Sequence, residues 1–414
     1  MSRIAIVGSG IAGLTCAYKL SKQHEVTLFE ANNYAGGHTA TIDVQVEGKD
    51  YAVDTGFIVF NDRTYPRFQR LLAELEVDYQ PTQMSFSVQN PTDKLIYNGH
   101  TLNTLFCQRK NILSPRFWGF VRQILRFNAN CKALYADPDA LEGKTLGEYL
   151  SEEKFSEFFA QNYILPMGAA IWSSSLADIQ KMPLKFFVQF FYNHGLLDIK
   201  NRPQWYTIIG GSRSYVQALL RASQPRLHLS TPVQQIRRDG DQVIVVSSRG
   251  EETFDEVILA CHSDQALAML AEPTADEQRV LGAIPYRSNE VLLHTDPDML
   301  PPMQSAHASW NYHCDSANDA PAAVTYSMNI LQRFPEGTPT FNVTLNNSDA
   351  VNDQHVLRRF NYSHPVFSEA MVDAQSKRSL ICGVDKIHFC GAYWYNGFHE
   401  DGVHSAEDIC ERFA

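Results

Sequence analysis

The run IAIVGSGIAGLTCAYKLSKQHEVTLFEANNYAGGHTAT, residues 4–41, decides the fold. Arg3 to Val7 reads as a buried strand, and Gly8, Gly10 and Gly13 follow it as GxGxxG. Ile11 to Leu20 has helical spacing, with Ala17 small on the face that meets the strand. Glu25 to Phe29 reads as a second strand, closed by Glu30. Each part has a task in holding a dinucleotide. Gly8 makes the turn, Gly10 lets the backbone approach a pyrophosphate, and Gly13 lets helix and strand pack closely. The turn and helix start, Ser9 through Ile11 and Ala12, offer unpaired N–H groups at the positive end of a helix dipole. The Glu30 carboxylate can accept from both hydroxyls of a ribose, which disfavours a 2′-phosphate there. The arrangement fits a nicotinamide or a flavin dinucleotide equally.

Composition narrows the classes. The chain has 414 residues, 44% hydrophobic and 20% charged, which is ordinary globular composition with ample core. Lys plus Arg is 35 and Asp plus Glu is 46, a net charge of −11, which argues against a nucleic-acid partner. No run of about 18 apolar residues predicts a transmembrane helix, and no secretory signal fits the start. The eight cysteines are scattered without CxxC, and HExxH is absent, so reduced thiols in a cytoplasmic compartment and no metal site are expected.

The stretch EANNYAGGHTAT, residues 30–41, resembles the glycine-pair motif that follows the ribose acid in the flavin-containing amine-oxidase superfamily. That superfamily includes monoamine and polyamine oxidases, protoporphyrinogen oxidase and phytoene desaturases. Its pattern is E-A-x-x-R-x-G-G-R. Glu30, Ala31, Gly36 and Gly37 match it, while Tyr34 and His38 stand where the family has arginines. YAVDTGF, residues 51–57, resembles the family's D-x-G element beside the isoalloxazine, through Thr55, Gly56 and Phe57; by itself it is a strand-ending turn. Gly210-Gly211-Ser212 opens a helix. Leu227 to Cys261 reads as short strands with turns at Asp239-Gly240 and Arg249-Gly250, then a buried strand from Glu256 to Ala260. The resemblance puts Val233 at the adenine; a core valine is the alternative. The C-terminal HFCGAYWYNGFHEDGVHSAEDICERF reads as strand, glycine, aromatic loop and a final helix opened by Gly402. The resemblance implies that Gly391, Ala392, Asp401, Gly402 and Val403 contact the flavin. It also implies that the helix dipole stabilises charge at the N1–C2=O edge.

SWNYH at 309–313, VTYSMNILQ at 324–332, HPVF at 364–367 and GFHEDGVHS at 397–405 narrow the likeness. They resemble a branch of NAD/FAD-binding proteins related to a domain fused ahead of plant-type cyclopropane fatty-acid synthases, over essentially the whole chain. The implied fold is α/β: a discontinuous, Rossmann-like FAD-binding domain of the glutathione-reductase type, at 1–60, 204–274 and 378–414. An inserted α+β substrate domain takes 61–203 and 275–377. FAD is expected to be non-covalent, since no SGGC-like cysteine is present. Ile284 to Val291 lacks the lysine that many amine oxidases hold at flavin N5, which counts against amine oxidation.

Trp172, Trp394, Tyr395 and His399 are the substrate-side candidates. His399 falls near the place of a substrate-cage tyrosine in amine oxidases. As a loop histidine it is either an acid–base group near pH 7 or a holder of the loop. Arg116 to Tyr135 reads as an amphipathic helix with a basic, aromatic character, suited to packing on the substrate domain or to a peripheral contact with the inner membrane face. The leading expectation is hydride removal from a carbon of an apolar, acyl-lipid substrate, with the flavin doing the chemistry. The alternatives are an amine oxidase, a flavin-containing accessory protein presenting lipid to a methyltransferase or cyclopropane-synthase partner, and a nicotinamide dehydrogenase.

Overall fold

The computed structural model describes residues 1–137, 141–314 and 320–413. Its organising element is a parallel sheet of five strands, in the order Arg226–His228, Glu25–Phe29, Arg3–Val7, Glu256–Leu259, Ile387–Phe389. Ile4, Ala5 and Ile6 are fully buried, as a strand covered on both faces requires. The helix Ile11–Leu20 follows the central strand and buries Leu14, Cys16 and Ala17. Glu25–Phe29 lies on one side of Arg3–Val7 and Glu256–Leu259 on the other. The order therefore switches beside the first strand, and such a switch opens a crevice at the carboxyl ends of the strands. The last helix, His399–Cys410, packs on the first; a Cβ at Gly402 would stand 2.6 Å from Ile11 Cγ2.

An antiparallel sheet of three strands, Val233–Asp239, Gln242–Ser247 and Gly250–Phe254, has turns where the sequence places them. Both remaining segments build a seven-stranded sheet. Val356–Pro365, Tyr286–His294, Asn342–Leu345, Ala323–Ser327 and Trp310–His313 come from the later one, Phe86–Asn90 and Leu95–Asn98 from the earlier. The two meet where Trp310–His313 runs parallel to Phe86–Asn90. The earlier segment also supplies the helices Pro115–Tyr135, Leu165–Trp172 and Leu184–Asn193. Ser114 caps the longest of these, accepting from Phe117 N–H, and Pro115 sits at its first position. The strand Trp205–Ile208 joins Phe60–Asn61 and Tyr79–Thr82 rather than the parallel sheet. Among the described residues, no helix is long and apolar enough to cross a membrane.

Candidate functional site

At the carboxyl end of the central strand the three glycines do different things. Gly8 has φ +102°, and a Cβ there would stand 2.9 Å from the Ala260 carbonyl oxygen. A Cβ at Gly13 would overlap the Gly8 carbonyl. Gly10 faces open space, with no described atom within 4 Å of an added Cβ. It is also the N-cap of the first helix, and no side chain among the described residues caps that end. Gly37, with φ +58°, folds over this turn; its Cβ would come 3.1 Å from Gly10 Cα. Gly36 N–H donates to the Ser9 carbonyl at 3.0 Å. The second glycine pair is thus the outer wall of the first turn, which no larger residues could form.

Glu30 closes the second strand and is buried. One carboxylate oxygen accepts from Ser9 N–H at 3.0 Å and Ser9 Oγ at 2.5 Å, the other from Asn32 N–H at 2.9 Å. Ala31, next to it, is exposed. Thr231 N–H donates to the Glu30 carbonyl at 2.8 Å, which brings the start of the strand Val233–Asp239 to this edge. Val233 is partly buried there.

The next layer joins His38, Thr55, Gly56 and Phe57, which the sequence singles out, to partners it does not. His38 lies among His262, His364 and Tyr362, with ring centroids 5.9, 5.4 and 5.2 Å away. Burial first, then the neighbouring imidazoles, pushes its pKa well down. Its buried Nε2 has no hydrogen-bond partner among the described residues. A Cβ at Gly56 would overlap the His38 carbonyl, and Phe57 N–H donates to that carbonyl at 2.9 Å. Thr55 Oγ1 pairs with Tyr362 OH at 2.8 Å. Asp54, two residues before Gly56, turns elsewhere: it accepts from Ser212 N–H and Oγ and from Thr41 Oγ1, fastening the strand to the helix Arg213–Ser223. Position could have pointed to His262, since it follows a strand that ends at the crevice; no local signal pointed to Tyr215 or Thr39.

Those two residues define His399. Its Nε2 hydrogen-bonds Tyr215 OH at 2.9 Å and Thr39 Oγ1 at 3.0 Å; Thr39 and Tyr215 bond each other, and Phe57 stacks on the imidazole at 3.5 Å. His399 is the first residue of the final helix rather than part of a loop, and burial lowers its pKa to about 3. The expectation of a group titrating near pH 7 is therefore corrected: the ring is neutral over the physiological range.

The C-terminal segment brings further corrections. The final helix starts at His399, three residues before Gly402, with Phe398 as N-cap. Asp401 Oδ2 accepts from Phe398 N–H at 2.8 Å, and burial raises this carboxyl to about pKa 7 against those hydrogen bonds. Gly402 gives close approach to Ile11, and Val403 is core. Gly391 N–H donates to Ser405 Oγ at 3.0 Å, and Ala392 begins a short helical turn ending at Trp394. Trp394 is buried beneath the Arg378 guanidinium. Tyr395 stacks on His404 and donates to Asp408 at 2.6 Å, so it faces the middle of the helix and not His399. Trp172 sits in an aromatic wall with Phe186, Phe190 and Phe367; Phe190 in turn stacks on Phe398. A cleft of about 610 Å³ opens beside that wall, lined by Tyr65, His194, Phe398, Glu400 and Asp401 among others.

A flavin dinucleotide suits these residues. Open space at Gly10, an uncapped helix start and an unsatisfied imidazole nitrogen at His38 are the features a pyrophosphate-linked group fills. The family described as flavin-containing amine oxidoreductase matches residues 11–359. A Mycobacterium tuberculosis protein assigned as a flavin-containing monoamine oxidase (AofH) is 26% identical over 279 residues, 65% of this chain and 59% of its own length. An L-amino-acid oxidase of Bothrops moojeni is 22% identical over 81% of this chain and 66% of its own length. The chain thus spans about three-fifths to two-thirds of these curated relatives. The solved cyclohexylamine oxidase of Brevibacterium oxydans shares the fold, with a TM-score of 0.71 at 15% identity, covering 100% of this chain and 99% of that one.

Proposed function

Because the chain belongs to the flavin-containing amine oxidoreductase family, we propose that it is an oxidoreductase that holds FAD non-covalently across the carboxyl edge of the parallel sheet and oxidises a carbon of an apolar, acyl-type substrate. The observation that carries this is Gly10: uncovered, at an uncapped helix start and walled by Gly37. The N–H groups after Gly10 bind the pyrophosphate, and Glu30 exchanges its Ser9 contacts for ribose hydroxyls. Bound there, FAD supplies two-electron oxidation by accepting a hydride. The chain's own contribution is orientation and an apolar surface. Neutral His399 holds Tyr215 and Thr39 in place and backs Phe57. The packed rings of Trp172, Phe186, Phe190 and Phe367 reach the cleft through Phe398 and are the apolar element that supports an apolar substrate.

Oxidation of an amine is the second reading, favoured by what the relatives are named for. The absence of lysine from the strand Tyr286–His294 weighs against it. One titration separates the two: the purified protein is mixed anaerobically with fatty acids and phospholipids, then with an amine panel, while the visible flavin bands are followed. Bleaching by acyl lipids supports the first reading. Bleaching by amines alone overturns it. Bleaching by neither favours an accessory role presenting lipid to a partner. Gly10→Ala and Gly10→Val are the controls for the site: an added Cβ meets no described atom, so the alanine variant keeps the fold, and bound flavin falls, by at least about tenfold in the valine variant. Full flavin content in that variant means that the cofactor lies elsewhere.

A further inference from the structure

The aromatic helix Pro115–Tyr135 is buried on one side only. Phe117, Phe120 and Phe127 enter the core, while Trp118, Arg122 and Leu125, spaced four and three residues apart, stay exposed. Trp118 is 49% exposed and its indole N–H donates to the Ile112 carbonyl at 2.9 Å. That bond anchors the preceding turn, Arg109–Leu113, in which Leu113 is 87% exposed. Arg109 in turn donates to Asn103, fixing the short helix that presents Leu102. Leu102, Ile112, Leu113, Trp118 and Leu125 are five of the fourteen large apolar side chains exposed among the described residues, and they fall within 24 positions.

Charge on this segment runs against the rest of the molecule. The chain as a whole carries −11, yet no Asp or Glu occurs between Asp93 and Asp137, and six cations lie between Arg109 and Lys132. Lys110 and Arg122 are exposed beside the apolar tips. Arg116 and Lys132 are paired with Asp93 and Asp198, which leaves Lys110 and Arg122 beside the protruding Leu, Ile and Trp. That combination suits the boundary of an anionic bilayer, with apolar tips in the acyl layer, tryptophan at the headgroups and cations on lipid phosphate. For a molecule of net −11, a segment with cations and no acid is the kind of face that can approach such a surface.

We propose that residues 102–126 form a peripheral membrane-docking surface for anionic phospholipid. The proposal concerns binding, and stands apart from which substrate is oxidised. The test is co-sedimentation of the full-length protein with vesicles of phosphatidylglycerol and phosphatidylcholine, and with phosphatidylcholine alone. Binding should be at least about tenfold stronger on the anionic vesicles and weaken with salt. Leu113→Asp with Trp118→Asp should abolish it, and Lys110→Glu with Arg122→Glu should lower it about tenfold or more. Because Trp118→Asp also removes the indole bond to the Ile112 carbonyl, the melting temperature of each variant is read beside its binding, and the exposed pair Lys110 and Arg122 tests the surface without that bond. Brominated lipid should quench wild-type fluorescence more than that of Trp118→Phe. Equal binding to both vesicle types, no binding, or unchanged binding by the Leu113→Asp/Trp118→Asp protein overturns the proposal. So does a dimer in solution that these two substitutions dissociate, since the face would then be covered by a second copy.

Discussion

Two helices begin at the same crevice, and they begin differently. The first, Ile11–Leu20, starts at a glycine with no acidic residue in its opening turn and no side-chain cap among the described residues. The last, His399–Cys410, carries Glu400 and Asp401 in its opening turn; Asp401 accepts from the Phe398 N–H just ahead of the helix, and Glu400 accepts from Arg67 and Phe68 N–H of a neighbouring one. A helix end with no acid in its first turn keeps its full dipole for an anionic ligand; acidic side chains in the first turn offset part of that field. The resemblance implied that both ends serve the cofactor. The structure leaves the first one without an acid in its opening turn and sets two carboxylates into the opening turn of the second, one of them on the Phe398 N–H.

Glycine substitutions break this contrast most severely. Gly13→Ala puts a methyl into the backbone carbonyl of Gly8, which cannot yield, and should cost about 3 kcal/mol or more. Gly402→Ala meets only the Ile11 side chain and should cost about 1–2 kcal/mol. Urea unfolding of the two variants checks the order. Asp401→Asn comes next. The folded carboxyl titrates at about 7 against an ordinary 3.8, so its burial leaves stability intact below about pH 4 and removes it as pH rises toward 7. A shift of that size is of order 4 kcal/mol. Relative to wild type, the Asn variant should therefore gain stability from pH 4 to pH 7.5, read from melting temperatures at both pH values; a constant difference overturns the assignment. The smallest effect is expected from Gly10→Asp, which gives the first helix the cap it lacks. It should stabilise the flavin-free protein by a few tenths of a kcal/mol and weaken flavin binding by charge repulsion. Calorimetry of the flavin-free protein and a flavin titration read the two effects separately.

What the sequence disclosed was local. Arg3–Val7, Ile11–Leu20 and Glu25–Phe29 have the bounds the residues imply, because each glycine, apolar run and terminal acid answers to neighbours within about thirty positions. The environment of His399 stayed hidden, since Thr39 and Tyr215 are 360 and 184 positions away from it. Asp54 resembled a cofactor element by pattern, yet its partners come from Thr41 and from a helix start near residue 212. Gly402 drew the reading of a helix start because glycine often marks an end; here it marks a crossing with Ile11. Tyr395 followed the same loop logic, and its stacking on His404 depended on a helix that begins earlier than expected.

The seven-stranded sheet also sets a schedule for synthesis. Phe86–Asn90 pairs along one edge with Trp310–His313, and Asn90 and Trp310 are 220 positions apart. At 5–20 residues per second, the ribosome needs roughly 10–40 s to deliver the partner strand. Over that time the hairpin Phe86–Asn90/Leu95–Asn98 presents an open edge, with Val88 and Tyr97 not yet enclosed by the strands that bury them. The central strand Arg3–Val7 waits even longer for Ile387–Phe389 to complete its sheet. A topology of this kind lengthens the time during which a nascent chain carries an unpaired edge, which is the interval in which aggregation competes with folding.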